Sequence, residues 1–171
     1  MNATRSPSLL ARLWTGGECA VAALDHAQPA AQLLARWIVA SAFFRSGLTK
    51  LNDWGTTVAL FTDEYHVPLL SPEVAAVLGT AGEIVLPVLL LLGLTGRFAA
   101  LGLSVVNVVA VLSLEDIAPA ALQQHVFWGS LLAGLLLWGP GRWSVDRFAA
   151  PWVRARLLGE TAASSRYTAP A

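Results

Sequence analysis

Four apolar stretches follow one another along the chain, each interrupted by only a few polar residues. The first runs from Leu33 to Leu51 and the second from Val74 to Leu94. The third runs from Phe98 to Leu114 and the fourth from Ala121 to Trp138. Each is close to the ~17–25 residues that cross a bilayer as a helix. Helices are expected because hydrocarbon offers no partner for an unpaired backbone group. Pro87 falls inside the second stretch, where it should kink the helix and leave one carbonyl without a donor. Thr95, Gly96 and Arg97 make a tight connection between stretches two and three, and Glu115–Ala120 joins three and four. The connection Asn52–Glu73 is too long for a plain turn and is expected to pack back over the mouth of the bundle. The fold class expected is all-α, a polytopic membrane protein with a four-helix bundle and short interfacial helices at the termini.

Composition agrees with this pattern. Over the 171 residues 56% are hydrophobic, 13% are charged and the mean hydropathy is +0.60; ordinary soluble domains carry ~25% charged residues. The formal net charge is zero, so nothing in the global charge points to nucleic acid. A single cysteine, Cys19, excludes an internal disulfide and a cysteine-built metal site. The stretch Cys19–Leu24 is too short for a cleaved signal, and Asp25 and His26 interrupt it.

Residues 1–32 read as an interfacial N-terminal segment, 33–138 as the membrane domain and 139–171 as an amphipathic segment with a flexible tail. Leu9, Leu10, Leu13 and Trp14, and later Trp152, Val153, Leu157 and Leu158, suit helices lying in the headgroup region. Arg5, Arg12 and Arg36, then Arg97, then Arg142, Arg147, Arg154, Arg156 and Arg166 fall on one side of the four stretches. Basic residues accumulate in the cytoplasm, so both termini are expected there.

The chemistry rests on polar residues at membrane depth, where a charge costs ~2.5–3.5 kcal/mol on insertion scales. At 1.5 Å per residue, Arg45 and Glu83 reach nearly one depth, about 17–18 Å from one boundary, and Asn107 is also near mid-membrane. Arg45 with Glu83 reads either as a structural ion pair or as a proton-relay or anion site; Asn107 reads as interhelical glue. Lys50 and His125 form a shallower layer, and Trp128 lies one turn below His125. These three make a candidate ligand pocket. His125 would exchange a proton, bond a quinone carbonyl, ligate a metal with Glu64, His66 or Glu73, or simply bond Gln124 or water. Three histidines without regular spacing assign no metal site.

Several of these stretches, in this order, resemble the DoxX family of small bacterial membrane proteins. They are FFRSGLTKL at Phe43–Leu51, LFTDEYHVPLL at Leu60–Leu70, GEIVLPVLLLLGLTGRFAALGL at Gly82–Leu103, the pair His125 and Trp128, and GPGRWSVD at Gly139–Asp146. The resemblance carries over Arg45, Gly47, Lys50, Glu83, Pro87, Arg97, His125, Gly139, Gly141, Ser144 and Asp146 as family-pattern positions, none with an assigned catalytic role. It implies an accessory membrane subunit of a respiratory, oxidative-stress or metal-stress redox system, with a protein partner from such a complex and a quinone or small solute as ligand. Two alternatives stay open, a non-catalytic scaffold or assembly factor and a small-solute or metal transporter acting as a homo-oligomer. No inverted repeat supports the transporter.

Overall fold

The computed structural model describes residues 8–158, and every regular element among them is helical. The order is α1 (Leu9–Asn52), α2 (Trp54–Asp63), α3 (Pro72–Leu92), α4 (Gly96–Leu112), α5 (Pro119–Trp138) and α6 (Asp146–Leu158). Helix α1 corrects one expectation. A separate interfacial helix does not precede the first apolar stretch; one helix of 44 residues carries both, with Pro29 inside it. The alanines and leucines around Pro29 favour helix strongly enough to continue past its missing amide. At 1.5 Å per residue α1 is about 66 Å long, roughly twice the hydrocarbon thickness of a bilayer. The expected tail after Gly159 lies outside the described residues.

The ends of the other helices are written locally. Ser71 accepts the Val74 amide at 3.4 Å, Pro72 occupies the first turn with Glu73, and α3 stops at Gly93 with φ 64°. These are the residues a helix start and stop require. Asp53 caps α2, accepting the Thr56 amide at 3.0 Å and its hydroxyl at 2.7 Å.

Helices α1, α3, α4 and α5 pack in that order as a closed ring, α5 returning against α1. Their shared core holds Val39 and Phe43, Leu90, Ala99, Ala100 and Leu103, and Leu132 and Leu135. Apolar side chains also cover the outside, among them Val77, Val85, Leu101, Val105, Val126 and Leu137. Helices apolar all round belong in lipid or deep in a protein. Of the expected spans, α3 and α5 are long and apolar enough to cross a bilayer; α4 is apolar with 17 residues, and α1 carries Arg36, Arg45 and Lys50 through its apolar half. Helix α2 and the turn after it dock on the start of α3, through Phe61, Tyr65, Val58 and Val67 against Ala75 and Ala76. The His66 amide donates to the Ser113 carbonyl at 2.8 Å, so this connection also reaches the far end of α4.

The opposite end is tied by the residues after α5. Thr95, the cap residue of α4, has φ 49° and no side-chain capping bond of its own. The Asp146 carboxylate supplies it instead, accepting the amides of Thr95 at 2.7 Å and Gly96 at 2.8 Å. The amides of Val145 and Asp146 donate to the carbonyls of Leu92 and Gly93, each at 3.0 Å. Arg97 donates to the Leu137 carbonyl at 3.1 Å. Arg36 is fully buried here and donates to the carbonyls of Leu91 at 3.0 Å and Trp143 at 2.5 Å. A Cβ on Gly93 would stand 2.5 Å from Ser144 Cβ and 2.6 Å from Arg36 Nη1, so both its φ and its neighbours demand glycine.

Candidate functional site

At the α2 end the site is built on the crossing of α1 and α3. Gly47 makes the close approach: a Cβ there would lie 2.9 Å from Ile84 Cδ1 and 3.1 Å from the Glu83 carbonyl carbon. Pro87, buried in α3, has no amide to give the carbonyl of Glu83 four residues earlier, so α3 is free to bend where α1 crosses it. Lys50 then reaches across, and its Nζ stands 2.5 Å from Glu83 Oε2 and 3.1 Å from Ser46 Oγ.

This corrects the expected pairing of Arg45 with Glu83. Arg45 is exposed, while Glu83 is buried and its partner is Lys50. Helical side chains lean toward the N-terminus of their helix, so the long Lys50 stem delivers its ammonium about a turn deeper than its Cα, beside Ser46. Arg45 lies five residues from Lys50, about 140° away around the helix, and faces outward. Matching Cα depth missed both effects.

His125 and Asn107 form a second pair, between α5 and α4. The buried Asn107 donates through Nδ2 to the His125 carbonyl at 3.0 Å, and its Oδ1 lies 2.8 Å from His125 Nδ1. With Nδ2 committed as donor, Oδ1 must accept, so Nδ1 carries the proton and Nε2 of the neutral ring keeps its lone pair. Trp128 packs edge-on to His125 at 5.2 Å and to Phe43 at 5.6 Å. It packs against the core on that side of His125 and is not among the residues lining the cavity beneath α2. Lys50 and His125 therefore do not meet; each is held by a different helix.

What joins the two pairs is a cavity of about 500 Å³ between α3 and α4, under the connection that contains α2. Ser46, Glu83 and His125 form its inner polar edge. Tyr65 and Ser113 supply hydroxyls at its other end, and Leu78, Gly79, Val105, Val106 and Val109 its apolar walls. Burial raises the Tyr65 phenol above its ordinary 10.0, and the charges of Glu64 and Glu83 add to that. Glu64, His66 and Glu73 make no cluster of metal-ligating side chains with His125 among the described residues.

The family-pattern positions divide between the two ends. Gly47, Lys50, Glu83 and Pro87 build the α1–α3 crossing; Arg97, Ser144 and Asp146 build the tie at the other end. There Gly139 ends α5 with φ 84°, and Gly141, with φ 85°, lies against the Gln32 side chain. Comparison with known families covers part of this set. A model of the DoxX family matches residues 31–116. The chain belongs to the DoxX family. The DoxX match begins where α1 enters the bundle and ends after α4, so it takes in Lys50, Glu83 and Asn107 and leaves His125, Trp128 and Asp146 outside. No curated protein and no solved structure matches the chain. As a DoxX protein it is a membrane protein, in keeping with α3 and α5.

Two residues of this architecture carry no strong signal in the sequence. Arg36 reads there as one more basic residue on the cytoplasmic side, and only the carbonyls of Leu91 and Trp143 show its work. Tyr65 reads as a loop aromatic. Its place in the cavity depends on α2 folding back, which the length of the connection suggests but its composition does not.

Proposed function

We propose that this DoxX protein crosses a bacterial inner membrane four times, through α1, α3, α4 and α5, with both termini cytoplasmic. It serves as an accessory subunit of a redox system and holds a quinone-type molecule in the cavity beneath α2. The arginine excess at both ends of the chain supports the orientation. At 17 residues α4 is at the short limit for a span. The observation that carries the ligand reading is the cavity itself: about 500 Å³, apolar along its walls, with polar groups gathered at two ends. A flat apolar ring with two opposed carbonyls suits that distribution.

Reduction of a quinone takes two electrons and two protons. The electrons come from a partner redox protein. This chain orients the ring and manages protons: the Tyr65 hydroxyl can donate to a quinone carbonyl, and His125 Nε2, with its lone pair, can accept from a quinol hydroxyl and take up or return its proton. The Lys50–Glu83 pair keeps a balanced charge at the inner edge.

The test is purification in mild detergent followed by solvent extraction and quinone assay, with a short-chain quinone titrated back. Ala110→Trp fills the cavity and leaves both polar pairs in place. Quinone retained by the parent and lost in Ala110→Trp, with unchanged melting, is the expected result. Equal retention in the two proteins removes the cavity from the reading.

One observation favours a scaffold instead. Lys50 with Glu83 and Asn107 with His125 satisfy each other inside the protein, as packing determinants do. A quinone-free preparation that still brings down a stoichiometric partner would support that role.

A further inference from the structure

We propose that the seam between α1 and α5, at the end where Trp138 leaves the bundle, is a binding site for one phospholipid with an anionic headgroup. The site has two continuous parts. A groove of about 250 Å³ runs along the seam between Ala31 and Ala35 of α1 and Leu131, Gly134 and Leu135 of α5. A second space of about 430 Å³ continues from it past Trp138 to Arg142 and Arg147. Gln28, Gln32 and Trp138 border both.

The chemistry changes along this path as a lipid's does. The groove is mostly apolar, and the small residues Ala31, Ala35 and Gly134 leave room along it for an acyl chain. Trp138, exposed at the last turn of α5, stands where interfacial tryptophans stand. Beyond it are two guanidiniums and two side-chain amides. Neither arginine has a hydrogen-bond or ion-pair partner among the described residues, and no carboxylate lines the space. The nearest acid in sequence, Asp146, is committed to the amides of Thr95 and Gly96. A phosphodiester takes guanidinium forks well, and basic pockets between spanning helices select anionic headgroups. The inference goes beyond the quinone reading, which concerns the other end of the bundle, and rests only on α1 and α5 both lying in the bilayer.

The experiment is native mass spectrometry of the full chain released from nanodiscs containing either phosphatidylglycerol or phosphatidylcholine, with retained lipid counted per protein. The parent should retain one phosphatidylglycerol and show roughly tenfold preference over phosphatidylcholine. Replacing both Arg142 and Arg147 with Gln should weaken phosphatidylglycerol binding roughly thirtyfold, as expected for two basic contacts at a membrane surface. Ala31→Phe, at an exposed position, should close the groove and lower retention without touching the arginines. Glycerol phosphate, which offers the same headgroup without chains, should fail to compete at concentrations where the lipid binds. Equal retention of the two lipids overturns the proposal, as does an unaffected arginine variant. Competition by glycerol phosphate with Ala31→Phe unaffected would make this a free-anion site, and would also overturn it.

Discussion

Lys50 Nζ meets Glu83 Oε2 at 2.5 Å across the α1–α3 crossing, and this is the only ion pair among the described residues. Its side chains are 17% and 9% exposed, so the pair is sheltered without being sealed. Breaking a fully buried pair typically costs ~3–5 kcal/mol. Glu83→Gln should therefore destabilise by about 2–4 kcal/mol in detergent melts. The double change Lys50→Met with Glu83→Gln should recover part of that, while Arg45→Gln should stay within about 0.5 kcal/mol of the parent. Equal losses for Arg45 and Lys50 variants would contradict the pairing.

Arg36 presents a different kind of dependence. Replacing it with Met keeps much of its volume but strips the carbonyls of Leu91 and Trp143 of their donor. Unsatisfied buried acceptors cost ~1–3 kcal/mol each, so a loss of about 3 kcal/mol is expected. Lys at this position cannot reach two carbonyls with a planar fork and should recover less than half. Thermal melts monitored by tryptophan fluorescence measure both. A melting temperature unchanged in Arg36→Met would mean that the tie does not depend on it.

The Asn107–His125 pair should show up as coupling. Asn107→Leu and His125→Phe each leave the other partner unsatisfied, whereas the double variant leaves neither. A double-mutant cycle on detergent stability should give an interaction energy of about 1 kcal/mol or more. Additive losses would show that the two side chains are not bonded in solution.

Two groups outside the spans set opposite pH limits on the α2 connection. The Tyr65 phenol is raised by burial and by Glu64 and Glu83, so its contribution is present below 10.0 and is lost as pH rises beyond that. The Asp53 carboxylate is lowered by its bonds to Thr56, so its contribution is present above 3.8 and is lost as pH falls below that. Protease susceptibility of Trp54–Leu70, measured against pH, should rise at both extremes. Tyr65→Phe should abolish the alkaline rise and Asp53→Ala the acid one. A profile unchanged in both variants would detach the loop from these groups.

The apolar stretches of the sequence coincide with α3, α4 and α5 to within about two residues at most ends, because hydropathy and Gly, Pro and Ser punctuation act locally. The long α1 was harder to read, since Pro29 and the polar residues near it look like a boundary. Glu83 and Asn107 are legible as buried polar groups because each stands in an otherwise apolar stretch; Arg45, which reads the same way, is exposed. The partners of Glu83 and Asn107 are not legible. Which of Arg45 and Lys50 meets Glu83 depends on helix rotation and side-chain reach, and neither is written in depth along the chain. The roles of Arg36 and Asp146 depend on contacts 55 or about 50 residues away, beyond any local signal.

The cap that α4 lacks comes from Asp146, and this has a bearing on the order of assembly. Synthesis proceeds from the N-terminus, so the hairpin of α3 and α4 is made before its capping carboxylate exists. Until residue 146 emerges, the amides of Thr95 and Gly96 lack this acceptor, and Arg36 waits for the carbonyl of Trp143. The short segment after α5 thus works as a latch closed last, and a nascent chain stopped at Trp138 would hold every apolar stretch yet remain open at that end.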